Sequence, residues 1–218
     1  MPIIDTTENN SCVRESVVQV GTGTEPILGR LRRETSQLHA EVERRVDILN
    51  RVRSLENYRT LLEKFYGLHC SLEAQIYTID SPVRKWLPDL ELRRRTTALR
   101  SDLAMLGNAD PDRLPLAPCQ SLETAAQHFG CLYVMEGSTL GGQVIARHVH
   151  ERLGLTSGNG CDFFIGHGVR TGALWERFRD ALGTFATCQP VAHEEIVLAA
   201  TRIFNLFGNW MEPTNEAF

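Results

Sequence analysis

One histidine and one glycine-rich stretch are the parts of this chain whose residue types and spacing could do chemistry. The stretch is Gly137-Ser138-Thr139-Leu140-Gly141-Gly142. It sits inside a run from about Leu122 to Leu153 whose apolar residues recur at helical spacing: Ala125, Ala126, Phe129, Leu132 and Tyr133 before it, Val144, Ile145 and Val149 after it. Three glycines in six residues cost a helix roughly 3 kcal/mol relative to alanine, at about 1 kcal/mol each. Gly137 and Gly141 are four apart and share a helix face. A face without side chains lets something flat lie against the backbone, and it permits a bend. The same spacing also serves close helix–helix packing, or a glycine turn between two helices, and pattern alone leaves all three readings open.

The histidine is His39. It lies four residues after Thr35 and three before Val42, so it is expected to border an apolar helix face instead of pointing to water. It reads as a hydrogen-bonded core residue, or as a neutral imidazole offered to a ligand in an apolar groove. Arg32 lies seven residues earlier, about 10 Å along the same side of a helix. There a cation could hold an acidic tail of whatever His39 binds. The plainer reading makes Arg30, Arg32 and Arg33 a solvated basic turn.

The elements that must position these residues follow from periodicity. Residues 1 to about 25 show no sustained pattern and are expected to be an N-terminal extension. A first helix is expected from Pro26 to Leu49 and a second from Leu55 to Ile79, with Ser54 as its N-cap. A third helical region should run from Val83 to Leu106, broken near Pro88, with Arg93-Arg94-Arg95 as a solvated face or a docking point for an acidic partner. His69 and Cys70 read as structural. A loop covers Gly107 to Pro118, and the glycine helix closes at Gly154. Thr156 to Gly168 is irregular, and its Gly166-His167-Gly168 reads as a surface turn ahead of the alternative, a ligand loop. Further helices should cover Thr171 to Phe185, from which Arg177 and Arg179 project, and Val191 to Trp210, before a loose tail over 212–218. The expected architecture is all-α, one domain over residues 26–211 with seven to nine helices around one core.

Composition removes several function classes. With 218 residues, a net charge of −4 and a pI near 6.0, the chain gives no electrostatic case for nucleic acid. No apolar run is long enough for a membrane span, and the first twenty residues lack the pattern of a signal peptide. Six cysteines without a CxxC pair read as free thiols in a reducing cytoplasm. There is no paired Glu-x-x-His, no HExxH, no P-loop, no G-x-S-x-G and no dinucleotide fingerprint. His148 and His150 diverge on a helix and make a poor metal pair. What remains is one imidazole, one bare helix backbone and a cationic rim. That set suits a flat, iron-bearing, dianionic molecule, a description haem meets, and a single axial histidine is one of its standard attachments.

At this point the motifs resemble a known family. Leu31-Arg32-Arg33-Glu34-Thr35-Ser36-Gln37-Leu38-His39, followed by Glu43, resembles the proximal helix of haem oxygenases. Leu132-Tyr133-Val134-Met135-Glu136-Gly137-Ser138-Thr139-Leu140-Gly141-Gly142-Gln143 resembles their distal helix. The resemblance spans about residues 27 to 210 and is nearest to bacterial enzymes that supply biliverdin to bacteriophytochromes. It implies haem held between a proximal and a kinked distal helix, as substrate and oxygen-activating cofactor. It implies cleavage by O2 to biliverdin with release of carbon monoxide and ferrous iron, and electrons from a ferredoxin or flavin reductase. Carried over by position, His39 matches the iron ligand, and Gly137 and Gly141 match glycines whose backbone touches haem, with Gly142 beside them. Arg32 matches a propionate partner; Arg177 and Tyr133 are further candidates. Many members carry Asp directly after the first distal glycine, where Ser138 stands here, which puts proton delivery in question. A hydroxyl can donate and accept but carries no charge. Two rivals stand beside this reading: a haem carrier or sensor on the same fold, and a thiaminase-like relative, which would need Cys131 or Cys70 as nucleophile.

Overall fold

The computed structural model describes residues 25–212, so the expected N-terminal extension and C-terminal tail lie almost wholly outside the described residues. Within that range there are nine α-helices and no strand: α1 Ile27–Val46, α2 Ile48–Arg51, α3 Leu55–Ile76, α4 Thr96–Met105, α5 Ala125–Ser138, α6 Gly142–Leu153, α7 Asp162–Ile165, α8 Thr171–Cys188 and α9 His193–Met211. The all-α expectation holds.

Local chemistry sets most boundaries. Ser54 caps α3 by accepting from the Asn57 N–H at 3.1 Å. Thr124 and Gln127 form a reciprocal capping box at the start of α5. Gly154 ends α6 in the left-handed region at φ 71°. α1 stops three residues earlier than expected because Asp47 turns left-handed at φ 40°, a conformation its short side chain tolerates, with the Asn50 amide donating to its carboxylate at 2.9 Å. The region from Val83 onward is shorter in helix than the pattern suggests. Residues 77–89 are turns, Leu90–Arg93 is a single 3-10 turn, and α4 begins only at Thr96.

The expectation of a single core is corrected. Two apolar clusters form instead. The first gathers Ile27 and Leu31 of α1 with the C-terminal half of α3, most of α5, and parts of α8 and α9. The second gathers Val46 with the N-terminal half of α3, α4, α6 and the segment around Cys161 and Phe164. α1, α3 and α9 run past both. The glycine stretch is where the chain crosses from one core to the other, since α5 packs in the first and α6 in the second. On α1 the same crossing falls between Thr35 and Val46. The bare glycines and His39 therefore both lie on stretches of chain that cross from one core to the other.

Candidate haem site

Packing separates the glycines of the distal stretch into two kinds. A Cβ at Gly142 would stand 2.4 Å from the Phe164 carbonyl oxygen, so this glycine is required by close packing. A Cβ at Gly130, earlier on α5, would stand 2.4 Å from the Ile196 carbonyl of α9. Gly141 has nothing within 4 Å, and Gly137 meets only the edge of the Trp175 ring at 4.0 Å. These two form the open face. Gly142, grouped with them from the sequence, belongs to the packing behind it.

The bend has a local cause as well. The backbone passes from α5 into a 3-10 turn over Thr139–Gly141 before α6 begins. The Ser138 hydroxyl donates to the Met135 carbonyl at 2.7 Å, and the Thr139 hydroxyl donates to the Glu136 carbonyl at 2.6 Å. Such back-bonding bends helices. It also spends the Ser138 proton. The hydroxyl expected to donate and accept is left only to accept.

His39 departs from its expected setting. Its side chain is 55% exposed, because α9 supports only one edge of the ring: Phe204 lies edge-on with centroids 5.8 Å apart. The Nδ1 stands 3.7 Å from the Glu43 carboxylate one turn along α1. A carboxylate on that side favours the tautomer with hydrogen on Nδ1, leaving Nε2 as the free donor to a metal.

The three arginines on α1 separate. Arg30 pairs with Glu34 and Glu194, and Arg33 pairs with Glu25 and Glu34. Among the described residues Arg32 has no ion pair. It lies instead beside the Tyr133 phenol, which burial pushes up and which Thr35 and Arg32 pull back down. Tyr133 in turn meets Trp175 with centroids 6.1 Å apart, and Trp175 stacks on Phe178 at 5.4 Å. Thr35, Tyr133 and Trp175 thus bridge α1, α5 and α8. Arg177, the other propionate candidate, is not free: its Nε is 3.3 Å from Asp89.

Behind the glycines lies a buried ionic node that the sequence did not suggest. Arg93, expected on a solvated face, is 0% exposed. It donates to Glu136 at 2.6 Å, to both oxygens of Asp89 at 3.1 Å, and to the Leu174 carbonyl at 3.0 Å. Burial pushes the Glu136 carboxyl up to about 7 against the pull of Arg93. Arg95 is also buried and bonds to the Phe163 carbonyl, while Arg94 stays outside over the Tyr77 ring at 4.5 Å. The run is read correctly only at its middle residue, since partners on other elements, the Glu136 carboxylate for Arg93 and the Phe163 carbonyl for Arg95, claim its neighbours. His69 is buried 3.5 Å from Glu73, in agreement with a structural role. His148 and His150 each face a different backbone carbonyl, Leu49 and Leu155. His167 is more deeply set than a surface turn implies. Its Nε2 is buried without a partner, and burial with Arg95 and Arg170 pushes it down to about 4.

Cys70, Cys119, Cys131 and Cys161 are free thiols, and burial raises each of them. Burial disfavours a thiolate nucleophile at Cys131 or Cys70. Among the described residues no helix is long and apolar enough to cross a membrane.

The site fits haem on its own terms. Its parts are an imidazole with a free Nε2, a side-chain-free backbone face and a guanidinium that has no ion pair among the described residues. Comparisons with known proteins agree. Residues 25–213 match the family model for heme oxygenase. A heme oxygenase of Xanthomonas campestris pv. campestris is 37% identical over 102 residues, which is 44% of this chain and 55% of that protein, so the match spans about half the relative's length. Among solved structures, the NO- and CO-bound heme oxygenase of Neisseria meningitidis superposes with a TM-score of 0.72 at 24% identity, over 89% of this chain and 96% of that one. Heme oxygenase-1 of the cyanobacterium Synechocystis in complex with heme gives 0.66 at 19% identity, over 86% and 91%. This chain belongs to the haem oxygenase family.

Proposed function

We propose that this protein is a haem-degrading monooxygenase that opens the haem ring to biliverdin, releasing carbon monoxide and ferrous iron. The observation that carries the reading is the open backbone face at Gly137 and Gly141, and an available His39 Nε2 on α1 supports it. Bound haem would supply the ring that is cleaved and the iron that activates O2, with electrons from a ferredoxin or flavin reductase. The chain's own residues do the rest. His39 would provide the nitrogen that holds the haem iron, and Glu43 would hold its tautomer. Gly137 and Gly141 let the backbone come close to the ring face and exclude most of the water there. Ser138 accepts a hydrogen bond from water but does not donate one, so an ordered water, not this side chain, brings the proton. Arg32 seats a propionate, with Tyr133 beside it. A bacteriophytochrome as recipient of the bilin, and a cytoplasmic location, belong to the same proposal and rest on the motif resemblance.

A second reading, a haem carrier or sensor, draws support from the same Ser138 bond, which removes the last donor hydroxyl at the position where many relatives hold a carboxylate. An anaerobic haem titration followed by air and a reductase separates the two. A Soret band that forms and then decays into biliverdin absorption supports the oxygenase. A band that forms and persists with a competent reductase assigns the carrier. No band at all removes both.

A further inference from the structure

The Arg93 node ties together the elements that flank the open face. Glu136 immediately precedes Gly137 at the end of α5. The Leu174 carbonyl immediately precedes Trp175 on α8. Asp89 joins Arg93 to Arg177, two residues beyond Trp175. One guanidinium with no exposed surface therefore sets the distance between the bare glycine and the Trp175 ring. Among the described residues that ring is the one side chain within 4 Å of where a Gly137 Cβ would stand, at 4.0 Å. It is itself braced by stacking on Phe178 and by Tyr133. A flat ligand laid on Gly137 and Gly141 can slide or turn within its own plane until something stops its edge. Arg32 is exposed and long, and a flexible cation tolerates several positions of a carboxylate. Trp175 is rigid, with two side-chain torsions and packing on two sides.

We infer that Trp175, held in place by the buried Arg93–Glu136–Asp89 node, is the edge stop that fixes the in-plane orientation of haem on the distal face and so selects which edge of the ring is presented for cleavage. Trp175 is a specificity-determining residue in this account and Arg93 a positioning residue. The inference rests on the haem reading above.

The test uses the full chain, haem and cyanide. In the ferric cyanide-bound protein each in-plane orientation gives its own set of haem-methyl proton resonances, independently of turnover. Wild type is expected to show one dominant set and one biliverdin isomer. Trp175→Leu should show at least two sets, with the minor orientation rising about tenfold, and a matching second isomer. The paired substitution Arg93→Met with Glu136→Met removes the node while leaving no buried charge on α5 unpartnered, a replacement that buried ion pairs commonly tolerate. It should reproduce the second orientation with the His39-ligated spectrum retained. Glu136→Gln keeps a hydrogen-bond acceptor for Arg93 and should keep the single orientation, which covers the case in which the paired variant does not fold. A single wild-type set of resonances in Trp175→Leu overturns the inference. So does a folded paired variant that either keeps one orientation or no longer binds haem. Failure of the wild-type chain to form a Soret band would instead remove the haem reading itself.

Discussion

The two walls of the candidate site are built in opposite ways. On the α1 side the residues that would meet a ligand have little behind them. His39 is half-exposed, with one phenylalanine edge and a carboxylate at 3.7 Å for support, and Arg32 has no ion pair among the described residues. On the α5–α6 side the exposed surface is backbone, and it is fixed from behind. Gly142 rests on the Phe164 carbonyl, Arg93 grips Glu136, and the Asp102 carboxylate takes the Asp162 and Phe163 N–H groups at 2.9 and 2.8 Å. A side chain can adjust to its ligand, but a bare backbone face has only the shape that its support gives it. Rigidity is therefore concentrated on the wall that contributes no side chains.

The largest expected effect breaks the α1 wall without touching the fold. His39→Ala should remove the axial nitrogen and lower turnover by at least about 100-fold, the upper end of what even outer-shell metal partners contribute. Its melting temperature should stay close to wild type, because exposed positions are usually within about 0.5 kcal/mol. A haem spectrum, a rate and a melt check this. A native-like spectrum together with a wild-type rate would take His39 out of the site.

Adjacent glycines sharpen the comparison on the other wall. Gly142→Ala drives a methyl against the Phe164 carbonyl, and overpacking of that kind costs about 1–3 kcal/mol, or roughly 2–4 °C of melting temperature per kcal/mol in a chain of this size. Gly141→Ala enters open space and should leave stability level or raise it by up to about 1 kcal/mol. In a haem titration the order reverses: Gly141→Leu, which fills the open face, should weaken binding most. Equal melting losses at the two positions would erase the division between packing glycine and ligand glycine.

The node behind the distal wall has a pH signature. Burial lifts the Glu136 carboxyl from the ordinary range near 4.5 to about 7, so between those values the folded state holds a proton that the unfolded state has released. Stability from this group is therefore complete below about pH 4.5, falls as pH rises, and levels off above about 7. Asp102, lifted to about 6 by burial despite its two N–H donors, adds a slope of the same sign between about 4 and 6. In denaturant titrations from pH 5 to 8, His167, held down to about 4, adds a rising slope that ends near pH 6.5, so the Glu136 contribution is read as the falling slope of wild type relative to Glu136→Gln. Glu136→Gln should lack that contribution and keep the Asp102 part. An unchanged slope in the variant would mean that the Arg93 pair stays ionised throughout.

Much of this was legible in the sequence, and what was not has a physical reason. The helices carry their own spacing and caps, as Ser54 and Thr124 show, so their order was readable. The glycine stretch was readable as a place where backbone is exposed or tightly approached. It was not divisible into Gly141 and Gly142, since only the position of Phe164, some twenty residues on, tells them apart. Arg93 looked like one of three surface cations because Glu136 lies on a separate element and Leu174 contributes only a carbonyl, while Asp89 alone is local, four residues back. Networks closed by tertiary contact leave no periodic trace. Asp89 four residues before Arg93, and a carboxylate directly before the first distal glycine at Glu136, were the sequence features that could have pointed to the node.

The smallest effect tests whether the α1 wall is the adaptable one. Arg32→Ala removes an exposed cation and should weaken haem binding about two- to fivefold, the scale of an exposed ion pair. The loss should shrink in high salt, where screening shortens the reach of the charge to about 3 Å at 1 M. Arg177→Ala should weaken binding less, because Asp89 already holds that guanidinium at 3.3 Å and a propionate would have to share it. If Arg177→Ala proves the more damaging of the two, the Asp89 pair must open to receive the ligand. α8 would then be adjusting to haem as α1 does, and rigidity would belong to the glycine face and Trp175 alone.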